Sequence, residues 1–119
     1  MIIAIDTSEL KKLRIRIEDG NKISFRSYVC YADDAFPKVE KILKQHKPKS
    51  VGVVTGPGAF SATRTGVALV NALAYGFNIP ITPLTRDEFD SVAPLACGTK
   101  PPVAVIYGAP PNITTKKIK

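Results

Sequence analysis

The stretch Val53–Gly66, VVTGPGAFSATRTG, runs a β-branched strand into a Gly-Pro-Gly turn and then into the start of a helix. Strand, glycine turn and helix N-terminus are the parts of many phosphate sites, because backbone amides at a helix start attract anions. The letters do not complete either common phosphate motif. A Walker loop requires Gly-Lys-Ser/Thr after its glycines, and Ala59-Phe60-Ser61 stand there instead. A dinucleotide fingerprint would place its third glycine at Ser61, and no strand-helix-strand unit opens the chain. Gly56, Gly58 and Ser61 therefore stay as candidate anion-binding positions, and the simpler account is geometric. The two glycines allow backbone angles closed to other residues, Pro57 stiffens the turn, and the corner aims the helix that follows.

Outward from this corner the pattern alternates. MIIAID is a continuous apolar run ending in Asp6, as expected of a buried strand. KKLRIRIED alternates, with Leu13, Ile15 and Ile17 on one face and Arg14, Arg16 and Glu18 on a face expected to be wet. Asp19-Gly20-Asn21 makes the turn, and KISFRSYV answers with Ile23, Phe25 and Val29 on its expected inner face. DDAFPKVEKILKQHK reads as an amphipathic helix, with Asp33 or Asp34 as cap, Pro37 in the first turn, and Phe36, Val39, Ile42 and Leu43 as the apolar stripe. SVGVVT is a strand without a polar face. The helix after the corner spans about Ser61 to Tyr75 and stops at Gly76, and IPITPL returns as a strand. A buried strand followed by a helix implies a parallel crossover. Thr85-Arg86-Asp87-Glu88 is a capping box opening a third helix with Phe89, Val92 and Ala93. GTKPP reads as a linker, VAVIY as one more strand, and GAPPNITTKKIK as a turn and basic tail. The expectation is a mixed five-stranded sheet covered by helices, residues 1–100 forming one lobe and 101–119 the start of a second lobe or a mobile tail.

The 119 residues, 45% hydrophobic, suit one compact core. Seventeen Lys and Arg against ten Asp and Glu give +7, a balance that favours polyanionic partners. Lys116, Lys117 and Lys119 concentrate part of it in the tail. Lys38, Lys41, Lys44 and Lys47 make a ridge on the first helix, read as a solvated face before a tRNA contact. Cys30 and Cys97 match no zinc or Cys-x-x-Cys spacing and read as free thiols, which with the lack of a signal peptide or an apolar span points to the cytoplasm and away from membranes.

Catalytic chemistry is poorly served. A metal centre needs converging His, Cys or carboxylate ligands, and the single His46 sits in the lysine-rich helix. Ser8, Ser61 and Thr7 have no base at motif spacing. No cofactor or metal is expected. The helix from Ser61 carries Ala62, Gly66, Leu69, Val70 and Leu73 on one broad face, which must cover the sheet. Its other half holds Arg64, Thr65, Ala68, Asn71, Ala72 and Tyr75, with one charge where a wetted helix shows several. Either a neighbouring element covers this half or it is a helix-to-helix subunit interface anchored by Tyr75.

IIAIDTS, GPGAFSATRTG and VALVNALAYGFNIPI together resemble the TsaB (YeaZ) family, whose loop usually reads GPGSFTGLRIG. Gly56, Pro57, Gly58, Phe60, Arg64 and Gly66 match it; Ala59, Ser61, Ala62, Thr63 and Thr65 depart. The resemblance runs from Met1 to about Tyr107. It implies a single RNase-H-like lobe of the actin-like ATPase superfamily. It also implies a non-catalytic role in making threonylcarbamoyladenosine at position 37 of tRNA, beside a TsaD-like catalytic subunit, with a TsaE-like ATPase in the assembly, tRNA engaged indirectly, and pairing through the same helix with itself or with the catalytic subunit. Asp6 and Thr7 occupy the place where actin-like ATPases hold a metal-bound phosphate, which makes them a vestigial nucleotide contact or, more simply, turn residues. A stand-alone basic RNA-binding domain and a remnant phosphotransferase are the alternatives.

Overall fold

The computed structural model describes residues 1–56 and 60–91. Three strands come first, β1 (Ile2–Glu9), β2 (Lys12–Asp19) and β3 (Lys22–Val29). A 3-10 turn (Ala32–Asp34), α1 (Phe36–His46), β4 (Ser50–Val54), α2 (Phe60–Phe77), β5 (Ile81–Leu84) and α3 (Arg86–Asp90) follow. The strands form one sheet in the order β3-β2-β1-β4-β5. The first three are an antiparallel meander; β1–β4 and β4–β5 are parallel. The linker, the VAVIY strand, Cys97, Val92, Ala93, Gly58 and the division near residue 100 lie outside the described residues.

Strand alternation gives the sheet two different faces. Ile3, Ile5, Leu13, Ile15, Val51, Val53 and Ile81 point to the side covered by α1 and α2 and are almost wholly buried. Val39, Ile42 and Leu43 of α1 and Val67, Leu69, Val70 and Leu73 of α2 close over them. Ala62, Gly66, Leu69, Val70 and Leu73, the stripe expected to cover the sheet, are all buried. The other side is held by a smaller cluster of Ala4, Val54, Leu84 and Phe89. The capping box that opens α3 is complete: the Glu88 N–H donates to Thr85 Oγ1, and the Thr85 N–H donates to the Glu88 side chain.

Four local expectations are corrected. The face of β2 bearing Arg14, Arg16 and Glu18 is not wet, because α3 and Ser91 close over it and Arg16 is 0% exposed. On β3 the inner residue on the helix side is Tyr28, not Ile23, Phe25 or Val29. The two-residue turn Gly20-Asn21 pairs Asp19 with Lys22, hence Leu13 with Tyr28 and Arg16 with Phe25, so the odd-numbered residues of β3 share the face of the arginines. Val29 is 93% exposed there. The cap of α1 is Ala35; Asp33 and Asp34 sit in the preceding 3-10 turn. Finally, α2 continues through Gly76 to Phe77. Its end is set by Asn78 in the left-handed region (φ 57°), with the Asn78 N–H donating to Tyr75 O and the Ile79 N–H to Ala74 O. That bond pair is a Schellman motif, which needs a left-handed residue and not a glycine as such.

Candidate functional site

The first turns of α2 are welded to the end of β1. Thr7, 1% exposed, donates its Oγ1 hydrogen to the Ala62 carbonyl at 2.8 Å, which satisfies an acceptor in the first turns of α2. Gly66 lies one helical turn further along the same face. A Cβ there would stand 1.9 Å from Thr7 Oγ1, so only glycine lets the helix approach the strand this closely. Gly56, buried at φ 140°, has a backbone conformation that side chains resist. Ser61 is exposed and lines a shallow pocket of about 80 Å³ with Leu10, Tyr31 and Thr65. Thr7 thus meets the first turn of α2 beside Ser61, while no hydrogen bond joins Gly56 to Asp6 or Thr7 among the described residues, and Gly58 lies outside them.

The chemistry of that corner is mixed. Asp6 is 1% exposed; its Oδ1 accepts the Ser8 N–H at 2.8 Å, and its Oδ2 stands 3.4 Å from Arg14 Nη1. The carboxylate is therefore already engaged, and its charge opposes an incoming phosphate. Ser8, beside Thr7, and Thr63, in the first turn of α2, carry buried hydroxyls with no hydrogen-bond partner among the described residues. One donor sits at the end of β1 and the other in the first turn of α2. Among the described residues no group of three or more His, Cys, Asp or Glu side chains gathers as metal ligands. His46 is half-buried and Cys30 donates its thiol hydrogen to the Tyr31 carbonyl.

Sequence reasoning missed a second polar system beside Asp6. Arg14 bridges Asp6 to Asp90 of α3 and stacks 4.9 Å from the Phe89 ring centre. Burial alone would lower the Arg14 guanidinium, but the Asp90 hydrogen bond and the charges of Asp90, Asp6 and Glu9 raise it above its ordinary range. It stays protonated at any pH the fold meets. Arg16, fully buried, donates from Nη1 to Glu18 at 2.9 Å and from Nη2 to the Ser91 carbonyl at 2.9 Å. Arg86 pairs with Glu9 at 3.1 Å. These contacts pin α3 across β1 and β2 over 70 residues of chain. The signal in the sequence was Arg-x-Arg-x-Glu on one strand face, a spacing that allows neighbouring charges to pair.

The outer half of α2 is open. Arg64, Ala68, Ala72 and Tyr75 are exposed, Tyr75 at 81%, while Thr65 and Asn71 are half-buried. Of the lysines on α1, Lys38 lies 5.0 Å over the Tyr28 ring and Lys44 is 3.8 Å from Glu40; Lys41 and Lys47 are exposed. No described helix is long and apolar enough to cross a membrane.

No protein-family model matches the chain. A tRNA N6-adenosine threonylcarbamoyltransferase from Chromobacterium violaceum is 33% identical over 72 residues, which cover 56% of this chain and 21% of that protein. YeaZ from Pseudomonas aeruginosa superposes with a TM-score of 0.58 at 21% identity, over 71% of this chain and 43% of YeaZ. Thermus thermophilus RuvC, solved with a Holliday junction substrate, gives 0.56 at 11% identity over 73% of this chain and 66% of RuvC. The chain thus spans about a fifth of the curated relative and under half of YeaZ. With the sheet order β3-β2-β1-β4-β5 and these superpositions, the described residues form a YeaZ-like lobe of the RNase-H-like fold.

Proposed function

We propose that the chain is a non-catalytic, TsaB-like partner subunit in the threonylcarbamoyladenosine modification of tRNA at position 37, docking through the outer face of α2 onto a TsaD-like catalytic subunit. The observation that carries the reading is the contrast across one helix. Val67, Val70, Leu73 and Ala74 are buried against the sheet, and the far side offers small Ala68 and Ala72 beside a Tyr75 ring 81% exposed. Small residues let a second helix approach, and an exposed aromatic at the edge supplies the anchor. The likeness to a threonylcarbamoyltransferase and the YeaZ-like fold support the choice of pathway. Asp6, engaged by Arg14, serves as a strand-end brace in this reading, and tRNA is reached through the catalytic subunit in an assembly that also holds a TsaE-like ATPase. The same helix face would support a homodimer when the partner is absent.

The test is the double variant Ala68→Arg, Ala72→Glu. Its circular dichroism is expected to match that of the parent, and co-purification with a TsaD-like subunit and self-association are both expected to be lost. A folded variant that still assembles with unchanged affinity puts the interface elsewhere.

The match to the transferase itself favours a second reading, in which the chain is a lobe of that enzyme. Transfer of the threonylcarbamoyl group to tRNA by the chain combined with the remaining part of such an enzyme, with no separate catalytic subunit present, would select it.

A further inference from the structure

The two edges of the sheet are finished differently. β5 is four residues long and carries Pro83, which removes a backbone donor and is a common way to blunt an edge. β3 is eight residues long, contains no proline, and has no strand on its outer side among the described residues.

The ladder shows which of its groups face outward. The Cys30 N–H donates to the Lys11 carbonyl, and the register keeps opposite residues summing to the same value along the hairpin. Hydrogen-bonded and non-bonded pairs alternate in an antiparallel ladder. Leu13/Tyr28, Ile15/Arg26, Ile17/Ser24 and Asp19/Lys22 are therefore the bonded pairs, and Ile23, Phe25, Ser27 and Val29 turn their N–H and C=O groups to the open edge. At one end of that edge lies a groove of about 290 Å³ between Leu10, 54% exposed, and Val29, 93% exposed, with Tyr28 as part of its wall. The charges around it are mainly positive. Lys11 and Lys12 line the groove, Lys22 and Arg26 stand along the strand, and Lys38 sits over Tyr28. The acidic groups nearby are each paired or few: Glu9, which lines the groove, is paired with Arg86, Glu18 with Arg16, and Asp90 with Arg14 opposite Ser27, while Asp19 is exposed.

We propose that the outer edge of β3 accepts an extended acidic segment of a partner protein as a sixth strand, seating one aliphatic side chain of that segment in the Leu10–Val29 groove. Main-chain bonds to the outward groups supply affinity, and the basic flanks with the groove select acidic over basic sequence. A second copy of this chain is the wrong occupant, because its own β3 edge carries the same positive charges. Leu10 also borders Ser61 and Thr65 at the start of α2, whereas Val29 and the β3 edge do not, and the proposal does not rest on the function proposed above.

The test uses the full chain and a fluorescein-labelled peptide of alternating glutamate and valine, read by fluorescence anisotropy. Saturable binding is expected, with amide exchange slowed at Phe25, Ser27 and Val29. Ser27→Pro removes an outward donor without touching the β2 ladder, and Val29→Glu places a like charge in the groove; each is expected to weaken binding about tenfold or more. If Ser27→Pro does not fold, Val29→Glu decides. Absence of saturable binding, equal binding of a lysine–valine peptide, or an unchanged affinity in Val29→Glu overturns the proposal. A self-association that Val29→Glu abolishes, with no peptide bound, overturns it in favour of a second copy.

Discussion

The two faces of the sheet do the same job with different materials. Under α1 and α2 the contacts are aliphatic and many, with Ile, Leu and Val from four strands meeting two helices. Under α3 there are four buried apolar residues, and the rest is charge: Asp6, Arg14 and Asp90 in one group, Arg16, Glu18 and the Ser91 carbonyl in another. A five-residue helix is too short to hold itself. It stays because a capping box, one aromatic ring and directed ion pairs hold it. The dry face has redundancy and the charged face has little, so equal-sized changes should cost more where fewer contacts share the load.

Phe89→Ala is the strongest attack on the charged face. The ring is fully buried, meets Phe25 at 5.9 Å between centres and carries the Arg14 guanidinium. A loss of about 4 kcal/mol in urea unfolding is expected, as for other buried aromatic deletions. A loss below about 1 kcal/mol would mean that α3 is not part of the cooperative unit.

Gly66→Ala tests a place where the dry face has no slack. The added methyl must displace Thr7, whose β-branched side chain is buried and bonded to Ala62, and overpacking plus the lost bond should cost about 3 kcal/mol. Thermal denaturation of Gly66→Ala and of Gly66→Ala with Thr7→Ser would separate the two contributions. If the single variant is as stable as the parent, α2 does not pack on β1 as closely as described.

Thr85→Ala removes the cap of α3 and is expected to cost about 1 kcal/mol, read as a lower urea midpoint. Gly76→Ala should go the other way. Nothing lies within 4 Å of a Cβ there, the residue is inside α2, and alanine should raise stability by about 0.5–1 kcal/mol. Opposite signs for one substitution at Gly66 and Gly76 of the same helix would show that contact, and not helix propensity, decides the first.

Much of the fold was legible from local pattern. Continuous apolar runs marked β1 and β4, the 3.6-residue repeat marked α1 and α2, and the Thr-x-x-Glu box opened α3 where the structure has it. The sequence marks the corner's glycines as geometric but says nothing of the partner of Gly66, because Thr7 is 59 residues away in the chain. The uncharged, exposed half of α2 was legible from its scarcity of charge, a signal that says what a face lacks and not what covers it.

Local chemistry in the sequence determined where elements begin and end and which faces are apolar, since capping, periodicity and turn residues act within a few positions. Tertiary structure alone decided the fate of the alternating strand Arg14–Glu18 and of β3. Whether a face of alternating charges meets water depends on what returns to cover it, and the cover is α3, more than 70 residues later, held by Asp90 and the Ser91 carbonyl. With that cover in place, the arginines pair instead of solvating, and the odd residues of β3, set by a two-residue turn to the same side, form the partly open rim of the charged face.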